Sequence, residues 1–140
     1  REAAISRSLS HKNIVHTIGV CNEKFYIVTE FLSGKDLKTY LTDRKDNLTD
    51  SENRTVALQI ASAMAHLEKN NIVHRDLAAR NILVGDSYEV IKLADFGLAR
   101  LLLDGKEYYK IDGGAFPWRW TAPEAWVIKD TQVSFSKLME

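Results

Sequence analysis

Asp76 and Asn81 stand five residues apart in the stretch IVHRDLAARNILV, residues 72 to 84. Two apolar runs, Ile72-Val73 and Ile82-Leu83-Val84, bracket them as short buried strands would. A second acid, Asp95, follows the apolar run VIKLA and precedes Phe96-Gly97. Two carboxylates and a carboxamide supply hard oxygen ligands, a set that suits Mg²⁺ rather than zinc. Mg²⁺ held by one or two protein oxygens usually carries a nucleotide phosphate. A remaining carboxylate is then available to orient a nucleophile. The bland alternative is that all three side chains are solvated loop polarity.

Such loops need elements to hold them. Residues 1 to 9 read as the end of a helix, with Ala3, Ala4, Ile5 and Leu9 among Arg and Ser. An apolar run follows from Ile14 to Cys21. EKFYIVTEFL is the best strand signal, because Phe25, Tyr26, Ile27 and Val28 are aromatic or β-branched. SGKD breaks it, and LKTYL is a short helix candidate. The strongest helix is NLTDSENRTVALQIASAMAHLEKNN, where Thr49 and Glu52 fit a capping box. Val56, Ile60, Met64 and Leu67 recur at helical spacing on one face, and Asn70-Asn71 ends the element. Asn81 to Val84 and Val90 to Leu93 read as strands, with GDSYE as the hairpin turn between them. After Asp95 the chain reads as a long loop, marked by Gly97, Gly105, Gly113, Gly114 and Pro117. This order of elements predicts an α+β fold.

Bulk properties narrow the function. Lys plus Arg and Asp plus Glu are 19 each, so no basic excess points to nucleic acid or an anionic membrane as partner. No apolar run is long enough to cross a bilayer, and REAAISRSLS is not a secretory signal. The single cysteine, Cys21, cannot form an internal disulfide and reads as a small buried thiol rather than a nucleophile. The two glycosylation-type triplets, at Asn47 and Asn53, read as part of a helix start.

Three motifs then carry a resemblance. HRDLAARN at 74 to 81, DFG at 95 to 97 and APE at 122 to 124 resemble the protein-kinase signature set, in the same order. The resemblance runs to about residue 137. It implies a bilobal protein-kinase-like fold, present in part: an N-lobe remnant over 1–32, with the end of a helix, two strands and the hinge, and a partial C-lobe over 33–140. It also implies ATP and Mg²⁺ as cofactors. Asp76 would be the base that accepts the substrate hydroxyl proton, and Asn81 and Asp95 would hold Mg²⁺. Ala78 and Arg80 resemble the tyrosine-kinase version of the loop, in which the arginine stands near the γ-phosphate. Pro117 in FPWRWTAPEA resembles the platform for a tyrosine side chain, whereas Trp118 departs from the family's usual Val or Ile. The implied function is transfer of the ATP γ-phosphate to protein tyrosines, in the cytoplasm or on the cytoplasmic part of a receptor. A scaffolding pseudokinase is the alternative.

Further positions carry over by the same resemblance. Thr29 matches the residue at the back of the adenine pocket, and Glu30 and Leu32 match the hinge. Asp36 falls near the ribose, Leu83 beneath the adenine ring, and Glu2 matches the helix glutamate that pairs with an ATP-binding lysine. His74 and Phe96 resemble members of an apolar column linking the lobes. Its other two members fall on Ser6 and Thr17, or on Ile5 and Ile18 with a register slip of one. Tyr108 and Tyr109 match the loop that family members phosphorylate, with Arg75 and Arg100 as the cations that would gather on the phosphate. The Gly-rich loop and its lysine would precede Glu2, and large helices would follow FSK at 135 to 137, where the chain instead reads LME. The 140 residues by themselves are therefore expected to be inactive and marginally folded.

Overall fold

The computed structural model describes residues 2–21, 23, 26–102, 108–111, 117–122, 127–129 and 132–136. The expectations at Phe25, Gly105, Gly113, Gly114, Phe116 and Pro123-Glu124 lie outside the described residues.

Helix α1 (Glu2–Ser8) leads to an antiparallel pair, β1 (Thr17–Cys21) and β2 (Tyr26–Thr29). Helix α2 (Leu37–Asp43) starts at Asp36, whose carboxylate accepts from the Thr39 backbone N–H at 3.0 Å. Helix α3 (Asp50–Lys69) carries the expected capping box: Thr49 Oγ1 accepts from the Glu52 N–H, and Glu52 accepts from the Thr49 N–H. The triplet at Asn47 thus ends on the cap, and Asn53 sits in the first turn. Val56 and Leu67 are buried, and Ile60 and Met64 pack against the same core, as the spacing predicts.

Strands β3 (Ile72–Val73), β4 (Ile82–Val84) and β5 (Ile91–Leu93) lie on the side of the core that bears the motifs. The hairpin β4–β5 forms as expected, although each strand starts one residue later than the sequence suggests. Asn81 closes a 3₁₀ turn (Ala79–Asn81), and Val90 donates back to Ser87 O in the hairpin turn. Both are therefore spent before the ladder begins. The core gathers Ile5, Leu9, Ile14, Leu67, Ile82, Val84, Ile91, Leu93 and Phe96. Burying each large aliphatic contributes about 1.5–3 kcal/mol.

Polar side chains tie α3 to the hairpin. Gln59 Oε1 accepts from the Ile91 N–H at 2.9 Å, and Asn13 Nδ2 donates to Ile91 O at 2.9 Å. Leu93 donates to Asn13 O, and Val15 donates to Leu93 O.

The stretch after Asp95 departs from the expected long loop. Strand β6 (Arg100–Leu101) pairs with β3. Strands β7 (Tyr108–Ile111), β8 (Val127–Lys129) and β9 (Gln132–Ser136) form an antiparallel sheet in the order β7-β9-β8. The runs YYKI, VIK and QVSFS are rich in β-branched and aromatic residues, and this short-range propensity outweighs the flanking glycines. Cys21, expected to be buried, is only partly so at the end of β1. The architecture is mixed α+β.

A tight turn fixes the segment after β2 on the hairpin. Gly34 donates to Val84 O and Val84 donates to Lys35 O, both at 2.9 Å. A Cβ at Gly34 would sit 2.9 Å from Val84 O and closer still to Gly85 O. Both obstacles are main-chain atoms, so nothing can swing aside. Gly34→Ala is expected to destabilise the protein by about 1–3 kcal/mol, read as a lowered urea midpoint with an unchanged slope.

Candidate active site

The loop after β3 turns sharply. Arg75 takes φ 72°, a left-handed conformation that a long side chain rarely adopts. This turn brings Asp76 back over the 3₁₀ turn. Asn81, buried beneath it, donates from Nδ2 to both Asp76 O (2.8 Å) and Asp76 Oδ2 (2.7 Å). Arg80 Nη2 pairs with Asp76 Oδ1, so both carboxylate oxygens have fixed partners. The Arg80 guanidinium also lies over the Trp120 ring, 4.5 Å from its centroid.

The second loop is bound to the first through backbone and ring. Ala94 N–H donates to Asn81 O at 2.8 Å, which places Asp95 one residue beyond the contact with Asn81. His74, 1% exposed, has Nε2 3.0 Å from Ala94 O, while its Nδ1 accepts from the Asp76 N–H at 3.3 Å. That pattern requires the neutral ring with its proton on Nε2. Phe96 meets His74 edge-on, with centroids 5.2 Å apart. Burial pushes the His74 pKa below 6.5, against the pull of the Ala94 carbonyl and of the Asp76 and Asp95 carboxylates.

Asp95 takes φ 60°, and its Oδ1 accepts from the Gly97 N–H at 3.1 Å. Asp tolerates this conformation better than most residues, and backbone strain of this kind gathers at functional sites. A Cβ on Gly97 would lie 3.2 Å from Asp95 Oδ1 and 3.5 Å from Glu2 Oε2. Two carboxylates therefore converge on one small residue. Among the described residues no group of three or more His, Cys, Asp or Glu side chains could hold a metal. The donor set instead fits Mg²⁺, which takes one or two protein oxygens and fills the rest with water and phosphate. Both hydrogen bonds from Asn81 leave through Nδ2, and the Asp95 carboxylate is exposed.

The remaining expected positions are held by other elements. Thr29 ends β2 opposite Thr17, and Leu83 lies mid-β4, half-buried, bridged to Asp36. The Asp36 carboxylate accepts from the N–H and the hydroxyl of Thr39, which hold its pKa below the usual range. The Glu30 carboxylate takes Lys92 Nζ at 2.7 Å and accepts from the His16 N–H at 2.7 Å. Burial alone would raise the Glu30 carboxyl, but Lys92 and the His16 N–H hold it low. Arg100 sits in β6 across from Val73, two residues before Arg75, and donates to Ala99 O. Pro117 precedes the 3₁₀ turn Trp118–Trp120. Tyr108 and Tyr109 open β7 and pair with Ser136 and Phe135.

Comparison with known proteins gives the family. The family model for protein tyrosine and serine/threonine kinases matches residues 1–136, and the chain belongs to that family. It is 46% identical over 128 residues to human "Tyrosine-protein kinase ABL2", covering 89% of this chain and 11% of that protein. It is 48% identical over 126 residues to Drosophila melanogaster "Tyrosine-protein kinase Abl", covering 88% and 8%. It is also 45% identical over 127 residues to human "Ephrin type-A receptor 1", covering 89% and 13%. The chain thus spans about a tenth of the length of these relatives.

Two contributors escape a reading of the sequence alone. Lys92 alternates with the buried Ile91 and Leu93, so its outward direction is legible, but its partner Glu30 lies 62 residues away. Trp120 sits three residues after Pro117, and only the fold brings its ring onto Arg80.

The neutral His74 couples the site to pH. Its folded pKa lies below the unfolded 6.5, so in acid the unfolded chain binds more protons. Stability is expected to hold above pH 6.5 and to decline as pH falls below it. His74→Gln should flatten that decline in urea midpoints measured against pH. The remainder is expected from His11, which burial, His66 and Lys12 also lower.

Proposed function

We propose that the protein containing this chain is an ATP-dependent protein-tyrosine kinase. The observation that carries the reading is the Asp76 carboxylate, oriented by Asn81 and Arg80 beside a second loop that presents Asp95. In the reaction the tyrosine oxygen forms a bond to the γ-phosphorus, and the bond from that phosphorus to the β-bridging oxygen breaks. Asp76 accepts the phenol proton. Arg80 places a positive charge beside the base, next to where the phosphoryl group passes. Asn81 and Asp95 would hold Mg²⁺, which neutralises phosphate charge. Glu2, which converges with Asp95 on Gly97, would pair with an ATP-binding lysine. Thr29, Leu83, Asp36 and the main chain at Glu30 and Leu32 line the place for the adenosine. Pro117 supports the substrate ring.

In this reading residues 1–32 belong to the smaller lobe and 33–140 to the larger. The relatives' names include both kinases and a receptor, and no helix among the described residues is long and apolar enough to cross a membrane. A cytoplasmic site of action, free or as part of a receptor, suits this chemistry because ATP is supplied there. Protein tyrosines are the substrates, and nucleic acid is not a partner.

Asp76→Asn in the parent protein is expected to lower turnover about 10²–10⁴-fold, the usual scale for a general base. The KM for ATP should be nearly unchanged. Asp95→Ala should instead raise the Mg²⁺ concentration needed for half-maximal rate. Near-normal turnover of the first variant in a radiolabelled-phosphate assay would remove Asp76 from its role.

Regulation is expected at Tyr108 or Tyr109. A phosphate there adds about −1.5 to −2 charges, for which Arg75 and Arg100 are the cations at hand. Peptide turnover before and after autophosphorylation should rise in the parent but not in a Tyr108→Phe/Tyr109→Phe variant. Single variants then tell which tyrosine is used.

A further inference from the structure

The stretch LSHKNIVH, residues 9 to 16, sets three basic side chains among apolar ones. Leu9 and Ile14 are buried and anchor it, whereas Lys12 and His16 are exposed. Leu9, His11, Lys12, Ile14 and His16 line a cavity of about 320 Å³, to which β5 adds Lys92. That is the size of a pocket for a small ligand, at the lower end of about 300–1,000 Å³. None of these residues has a place in the phosphoryl transfer.

The cavity gathers positive charge that its own carboxylate does not use up. Glu30 is committed to Lys92 and to the His16 N–H. The Lys92 ammonium has three hydrogens, and the two Glu30 oxygens take two of them, each at 2.7 Å. The third remains to be given. Among the described residues the Lys12 ammonium has no ion pair or hydrogen bond.

His11 registers the resulting field. Its Nδ1 accepts from the Asn13 N–H at 3.1 Å, which leaves the proton on Nε2, 3.3 Å from Ser62 Oγ. Its ring stacks on His66, with centroids 4.8 Å apart. Burial, then His66 and Lys12, hold the His11 pKa below 6.5. His11 is thus a neutral wall of a cavity whose other nitrogens carry or accept protons, and an anion there would relieve the repulsion among them.

The kind of anion follows from the donors. A planar carboxylate is matched by the fork of an arginine, and among the described residues no arginine lines this cavity. A tetrahedral dianion accepts separate point donors from several sides, as lysine and imidazole supply. We propose that the cavity bounded by Lys12, His16 and Lys92 is a binding site for a phosphate group, free or carried on a protein side chain. The site goes beyond the kinase reading and does not depend on it.

The test uses the parent protein, with Mg²⁺ and a non-hydrolysable ATP analogue added to occupy the nucleotide site. The His16 ring resonances are followed by NMR while inorganic phosphate or a short phosphotyrosine peptide is titrated in. At least one of the two should shift them saturably, and the unphosphorylated peptide should not. Lys12→Gln is expected to weaken binding about three- to tenfold, the scale of one partly exposed charge-assisted contact. Lys45→Gln removes the same charge from an exposed position outside the cavity and should leave binding unchanged. Added salt should weaken binding. Tighter binding of the peptide assigns the site to a phosphorylated side chain, and equal or tighter binding of inorganic phosphate assigns it to the free ion; either supports the site. No saturable shift with either probe, an equal shift with the unphosphorylated peptide, wild-type affinity in Lys12→Gln, or an equal loss in Lys45→Gln would overturn it. If the parent fails to transfer phosphate, the kinase reading falls, and the His16 resonances still decide this site.

Discussion

Asn81 works in two directions from a position 6% exposed to solvent. Its side chain donates twice to Asp76, and its carbonyl accepts the Ala94 N–H. The first set orients the carboxylate, and the second locks the following acid loop to the same residue. A buried amide that lost one of these partners would leave an unpaired polar group, which costs more than the bond itself contributes. The two loops consequently behave as one unit. His74 reinforces that unit from below, joining the Asp76 N–H to the Ala94 carbonyl through opposite sides of one ring. The left-handed turns at Arg75 and Asp95 are the conformational cost of bringing the loops together, and these bonds offset it.

The rest of the fold supplies a rigid support for that unit. Helix α3 presents Val56, Ala63 and Leu67 to the core, and Gln59 from the same helix fastens β5. The turn at Gly34 fastens the segment after β2 to β4. Apolar burial supplies most of the driving force, but it is not directional. Directional bonds from Asn13, Gln59, Ser6 and Thr17 decide how the apolar pieces are registered.

Local signals were strong enough to read much of this from the chain. The capping box at Thr49 and Glu52, the apolar spacing along α3 and the hairpin turn at GDSYE each depend on residues close in sequence. The motif residues Asp76, Asn81 and Asp95 were legible as a set of hard oxygen ligands. Their contacts were not, because these rest on Ala94 and His74 meeting across the fold. The Lys92–Glu30 pair and the Trp120–Arg80 stack were hidden for the same reason. Strands β7 to β9 were hidden differently: glycine and proline spacing suggested a loop, and the β-branched and aromatic runs between them outweighed it. At Ser6 and Thr17 an apolar expectation met two hydroxyls, and the resolution lay in their facing each other.

The bonds around β5 also bear on how this chain meets other chains. A two-stranded ribbon ordinarily offers an open row of N–H and C=O groups to any passing extended segment. Here Ile91 gives its N–H to Gln59 and receives Asn13 at its carbonyl, while Leu93 exchanges both groups with Asn13 and Val15. On the other side, Val84 is engaged at both groups by Gly34 and Lys35. Ile91, Leu93 and Val84 are thus engaged from within on both margins of the ribbon. At these three residues the hairpin that carries the acid loop has no open backbone group left for a passing strand, and its short strands can stay in place without recruiting a neighbour.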